Sequence, residues 1–378
     1  MFTERFGRVL LALGVIGLAS EFVGAPALFI FLMAAAGLIP LAALIGRSTE
    51  DLAHYIGPKW GGLLNATFGN AAELIIGGVA LAAGLQDLVK ASITGSIIGN
   101  ILLVLGGAFM YGGFKHGVQR FDSREAGRNG TMMLLAIFGL LIPAVFAFTD
   151  ADPGRVESES IAVSLILLAV YVAYILYSFR AGGEDKAIDD EVQPPPADVE
   201  GAHHVPWSRT TAIAVLAGVT VATVVLSEAM VGQVETIVRQ FGVSEFFIGV
   251  IVVPLVGNVA EHFSAILFAG KNRMDITLGI AAGSSTQVAL LVAPVLILLS
   301  LVLGPHPMNL VFLPIEIVAV AAAGFLFQTI CLDGESNWLE GFQLLALYVI
   351  LAAVFFLVHI PGAAESLNVT PFAHELVS

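Results

Sequence analysis

The stretch GNAAELIIG, residues 69–77, sits in an apolar run and carries one charged residue, Glu73. The same Gly-Asn-x-Ala-Glu word returns as GNVAEHFSA, residues 257–265, with Glu261 in the place of Glu73. What a carboxylate costs there depends on the solvent around the run, and composition supplies that.

Of 378 residues, 57% are hydrophobic and only 12% are charged. Soluble domains carry about 25% charged residues, so the composition is that of a membrane protein. A bilayer core takes roughly 20 apolar residues of helix. Eleven segments meet that length, near 6–24, 25–46, 61–84, 88–113, 130–148, 158–179, 210–228, 243–269, 276–303, 310–330 and 338–359. None alternates in the manner of a barrel strand, so the expected fold is an all-α polytopic bundle whose helices satisfy their own backbones. No cleavable leader is expected, because no small-residue cleavage site followed by a soluble domain follows the first run. The net charge of −14 argues against a nucleic-acid partner, and the single Cys331 has no intrachain disulfide partner.

Basic residues set the expected orientation. With the N-terminus inside, the inner loops hold 13 of the 16 Lys and Arg residues and the outer loops hold Lys90, Arg155 and Arg239. The C-terminus is then outside. Residues 180–209 form a linker near the midpoint, and GGEDKAIDDEVQPPPADVEGAHH (182–204) is acidic, proline-rich and without apolar period. It reads as a solvated hinge, or as a cation-attracting regulatory segment through Glu184, Asp185, Asp189, Asp190 and Glu191.

The two words lie on helices three and eight. Further echoes flank them: TEDLAHYIG (49–57) matches VETIVRQFG (234–242), and SITGSIIGNILLVLG (92–106) matches ITLGIAAGSSTQVALLVAP (276–294) more loosely. The chain therefore divides into an extra N-terminal helix (1–24), a first five-helix repeat (25–179), the linker, a second five-helix repeat (210–359) and a tail (360–378). An odd number of helices per unit makes the repeat inverted, a recurring plan of secondary transporters with the site at the midplane.

A carboxylate at the membrane centre costs about 2.5–3.5 kcal/mol on insertion scales, so two in matched positions call for a compensating role. Asn70 and Glu73 are three residues apart, as are Asn258 and Glu261, and each pair shares a helix face. Ser284 and Gln287 repeat that spacing; Ser96 and Asn100 stand four apart. These faces can converge on a cage of hard oxygen ligands of the kind Ca²⁺ takes. Burial and mutual repulsion favour protons on the same carboxylates once a cation leaves. A site neutral with either metal or protons, and charged when empty, is built to exchange them. His262 points about 100° away from Glu261 on a helix and fits a proton-linked or packing role. Glu316 has no counterpart in the first half and reads as a structural hydrogen-bond acceptor; Glu228 and Glu235 read as interfacial, at an ion entrance. No HExxH word exists, which argues against an intramembrane zinc protease, and the expected protein is a transporter, not an enzyme.

The paired words GNAAELI and GNVAEH, with SEAMVGQVE (227–235) and GSSTQVAL (283–290), resemble the signatures of the calcium/proton exchangers, the CAX branch of the cation/calcium exchanger superfamily. The resemblance covers nearly the whole chain. It implies a central metal site on Glu73 and Glu261, helped by Asn70, Asn258, Ser96, Ser284 and Gln287, with Glu73, Glu261 and His262 in proton coupling. It also implies Ca²⁺ export driven by inward protons, no resident cofactor, and an acidic cytosolic loop. The helix-four copy departs from the pattern, with Gly99 at one expected polar position. The absence of a long N-terminal extension fits a prokaryotic plasma-membrane protein. Alternatives on the same scaffold are a sodium-coupled calcium exchanger and a monovalent cation/proton antiporter; a channel would need a symmetric pore.

Overall fold

The computed structural model describes residues 4–56, 61, 64, 67–149, 152–181 and 206–357. Its helices are α1 (Glu4–Phe22), α2 (Ala27–Ile56), α3 (Ala71–Ala82), α4 (Gln86–His116), α5 (Ser123–Thr149), α6 (Pro153–Ala181) and α7 (Arg209–Val231). After these come α8 (Val234–Phe241), α9 (Glu245–Gly257), α10 (Val259–Gly270), α11 (Met274–Ser300), α12 (Pro314–Ile330) and α13 (Trp338–Leu357). The one sheet among the described residues is a two-residue antiparallel pair, β1 (Gln119–Arg120) with β2 (Glu335–Ser336), closed by an Arg120–Glu335 ion pair of 3.1 Å.

The protein is a polytopic all-α membrane protein. Seven helices among the described residues are long and apolar enough to cross a membrane, or eight if α9 and α10, bent by 65°, form one span. The expected spans at 6–24, 61–84 and 310–330 fall outside that number for separate reasons. Helix α1 carries Glu4, Arg5, Arg8 and Glu21 near its ends. Only 12 residues of helix α3 are described, the preceding residues lying largely outside the described set. Helix α12 is 17 residues long.

Burial sorts the helices into a centre and a rim. Most of the apolar stretch of α4 (83%) and of α11 (67%) is buried inside the protein, against 22% for α6 and 17% for α13. Helices facing lipid keep apolar surface outward, and those at the centre hold the polar groups that lipid would not accept. On one side α1, α2 and α7 form a layer. Gly14 and Gly37 let α1 and α2 touch backbone to backbone, because a Cβ on Gly37 would stand 2.6 Å from the Gly14 Cα. Small residues at such crossings are the usual means of close packing in lipid.

Prolines shape the central helices. Pro254 has no N–H to offer the Val250 carbonyl one turn earlier, and the ladder there loosens into a π stretch, Ile248–Val252. The Val250 carbonyl faces Gly95 of α4 so closely that a Cβ on Gly95 would lie 2.0 Å from it. Helix α11 repeats the device, with a π stretch at Val288–Val292 followed by Pro294. Helix α4 has a π stretch at Gly99–Val104, with no proline in it. Such π segments are frequent at functional sites, and here Asn100 lies inside one and Gln287 immediately precedes another.

The acids Glu184, Asp185, Asp189, Asp190 and Glu191 lie outside the described residues. Where the chain re-enters the described set it is fastened to the end of α2. The Arg47 guanidinium lies 4.3 Å from the Trp207 ring centroid, Tyr55 donates to the Trp207 carbonyl at 2.8 Å, and the Trp207 N–H donates to Asp51 at 3.2 Å.

A candidate cation site at two helix starts

Asn70 and Asn258 each precede a helix carrying a glutamate in its first turn: α3 with Glu73, α10 with Glu261. Their backbones nearly superpose, at φ −99°, ψ 20° and φ −104°, ψ 8°. This sparsely allowed bridge region is common at functional residues. A helix N-terminus favours negative charge nearby, so both carboxylates sit where the backbone partly offsets their burial. A break also leaves the last carbonyls of the preceding helix without helical donors, and α9 ends in this way at Gly257.

Neither asparagine side chain caps its own helix. Each reaches across instead. The Asn70 amide donates to Gln287 Oε1 at 2.5 Å, and the Asn258 amide donates to Ser96 Oγ at 3.3 Å. The word of each half thus bonds to the other half's polar helix. Because the nitrogens are used this way, Asn70 Oδ1 and Asn258 Oδ1 are left buried and without hydrogen-bond partners. Glu73 Oε2 and Glu261 Oε2 are in the same condition. Gly257 brings the two words together, since a Cβ there would lie 3.9 Å from the Glu73 carboxyl.

Four unpartnered buried oxygens in native structure need an occupant or a proton. Two are amide and two are carboxylate, so the set carries a charge of up to −2, which one divalent cation or two protons neutralise. The donors are all oxygen, which suits Ca²⁺ rather than thiolate- or imidazole-bound metals. Among the described residues there is no group of three or more His, Cys, Asp and Glu that could hold a metal.

Asn100, one helical turn after Ser96, joins the same cluster although the sequence pattern alone does not assign it to the cage. Its amide donates to Ser284 Oγ at 3.0 Å, its Oδ1 lies 3.2 Å from His262 Nε2, and Ser284 hydrogen-bonds Glu261. The i,i+4 spacing from Ser96 was its signal. His262 is buried on the side of α10 that meets α4 and does not share the glutamate's face.

The other acids separate. Glu316 accepts from Thr94 Oγ1 at 2.9 Å and from the Leu313 N–H at 2.8 Å, the structural role expected for it. Glu235 pairs with Arg239 on exposed α8. Glu228 is exposed at the end of α7.

The chain belongs to the sodium/calcium exchanger protein family, whose model matches it twice, over residues 26–180 and 211–357. Among curated relatives it is 42% identical over 356 residues to the Ca²⁺/H⁺ antiporter ChaA of Bacillus subtilis, spanning 94% of this chain and 99% of that one. It is 41% identical over 335 residues to the Ca²⁺/H⁺ antiporter of Aphanothece halophytica, spanning 86% and 90%. Among solved structures it resembles native YfkE with a TM-score of 0.79 at 40% identity, covering 93% of this chain and all of that one.

Proposed function

We propose that this protein is a secondary active transporter that exchanges cytosolic Ca²⁺ for external protons by alternating access. Glu73 and Glu261 are its shared cation and proton site. Asn70, Asn258, Ser96, Ser284 and Gln287 complete the oxygen cage, and His262 is coupled to it. The observation that carries the reading is the pair of unpartnered carboxylate oxygens, one in the first turn of α3 and one in that of α10, brought together by Gly257. Two relatives above 40% identity bear the name Ca²⁺/H⁺ antiporter, which favours protons over sodium as the coupling ion.

The architecture proposed with it has eleven spans: an extra first helix and two inverted five-helix repeats, 25–179 and 210–359. Support comes from the family model matching once on each side of the linker, and from the matched backbone at Asn70 and Asn258. The N-terminus is placed in the cytoplasm and the C-terminus outside, in a prokaryotic plasma membrane. The deciding experiment is purified protein in proteoliposomes with an imposed pH gradient. ⁴⁵Ca²⁺ flux driven by the gradient, and not by gradients of Na⁺ or K⁺, is the expected result; flux driven by Na⁺ alone overturns the proton coupling.

A further inference from the structure

Helices α3 and α7, with the end of α11 and Leu303 just after it, line an open cleft of about 540 Å³ whose lining does not include Glu73 or Glu261. Leu74, Gly78, Val79, Val224, Glu228 and Leu303 are among its lining residues. Its lining runs along α3 from Leu74, the residue after Glu73, to Ala82, about 12 Å of helix rise. In the proposed orientation that direction leads outward. Glu228 is the one ionisable group among the described residues lining it. Its carboxylate has no hydrogen-bond or ion-pair partner among the described residues, whereas Glu235 nearby in sequence is matched by Arg239.

We infer that this cavity is the outer vestibule of the transporter, and that Glu228 is the residue that gathers hydrated cations in it. The inference rests on the proposed antiport reading and assigns its external path. A single negative charge on low-dielectric walls focuses its field into the space it faces and raises the local cation concentration. A cavity of this volume has room for a hydrated ion, taking about 30 Å³ per water. Its inner end adjoins the turn that carries Glu73, and its other walls are apolar, so they offer no competing ligand. Glu228 therefore positions ions for the site without belonging to it.

Two measurements test this. Apparent Ca²⁺ affinity is read from each face separately, in right-side-out and inside-out vesicles. Glu228→Gln is expected to weaken affinity at the outer face by about tenfold and leave the inner face unchanged, with Glu228→Asp close to wild type. Equal shifts at both faces, or none, overturn the assignment while leaving the antiport reading intact. The second measurement needs no transport. In a Cys331→Ala background, Val79→Cys and Val224→Cys are treated with membrane-impermeant methanethiosulfonates. Labelling from outside is expected, faster for a cationic than an anionic reagent, with the preference lost when Glu228→Gln is added. Labelling only from the inside, or only by a lipid-soluble maleimide, overturns the vestibule, the latter marking a lipid-filled groove.

Discussion

Asn70 and Asn258 hold the same backbone conformation 188 positions apart in the chain, and each donates its amide to the opposite half, to Gln287 and Ser96. The exchange of partners ties the start of α3 to α11 and the start of α10 to α4. Motion that separates these helix pairs must break both bonds.

The first expectation concerns the glutamates. On the proposed site, Glu73→Gln and Glu261→Gln each remove a cation ligand and a proton carrier, and both should reduce exchange to background. Glutamine removes a buried charge, whose cost inside a membrane is several kcal/mol, so thermal stability in detergent should hold or rise. Gradient-driven ⁴⁵Ca²⁺ flux at the wild-type rate in either variant would remove the two-carboxylate site.

The second concerns pH. Ca²⁺ needs both carboxylates ionised, and metal binding then releases protons. As pH falls the empty site fills with protons, so Ca²⁺ affinity must fall with it. While both groups are protonated in the empty state the apparent Kd should rise by about 100-fold per pH unit, and by about tenfold in Glu73→Gln if binding survives. Equilibrium ⁴⁵Ca²⁺ binding checks this; a Kd flat from pH 5 to 8 would require a separate proton path.

Much of this arrangement was legible in residue order. The duplicated word, with Glu three residues after Asn, is a local pattern, and local patterns survive folding into helices. The pairings were less legible. Asn70 with Gln287 and Asn100 with Ser284 depend on how α3, α4 and α11 cross, which helical period does not encode. The π stretches were not foreseen either. Pro254 and Pro294 flag two of them, but the one at Gly99 has no proline, and Gly99 had looked like a missing polar position. Span lengths followed hydropathy closely for α4, α11 and α13. They were least readable for α2, which runs to Ile56, ten residues past the expected end at 46.

Gly95 supplies the third expectation. Its missing Cβ is the space into which the Val250 carbonyl projects, 2.0 Å from where that atom would be. Backbone on both sides cannot give way as a side chain would. Gly95→Ala should push α4 from α9, destabilise the protein by about 1–3 kcal/mol and lower exchange, because Ser96 would move away from Asn258. Thermal unfolding in detergent and vesicle flux check it; an unchanged melting temperature would mean the contact is slack.

The fourth concerns the linker. Trp207, fastened by Arg47, Asp51 and Tyr55, joins the linker to α2. Neutralising Glu184, Asp185, Asp189, Asp190 and Glu191 together should change the rate or the apparent Ca²⁺ dependence from the cytoplasmic face through local cation concentration. Binding at saturating Ca²⁺ should survive. Its complete loss would put the linker among the direct ligands.

The last expectation is charge balance. If Glu73 and Glu261 each take one proton as Ca²⁺ leaves, two charges enter for two that depart and the cycle moves none. A third proton, on His262, would make the cycle electrogenic, and the membrane potential would then contribute about 2.3 kcal/mol per charge per 100 mV. The duplication favours the smaller count, because only the glutamates recur in both halves. His262 is buried, with its Nε2 3.2 Å from Asn100 Oδ1. It meets the site through Asn100 and Ser284 and makes no contact of its own with the carboxylate pair among the hydrogen bonds found. With the proteoliposome potential clamped by K⁺ and valinomycin at fixed ΔpH, Ca²⁺ flux should be nearly independent of potential in both the wild type and His262→Gln. A steep response in the wild type that disappears in His262→Gln would make the histidine the third carrier and refute the two-proton cycle.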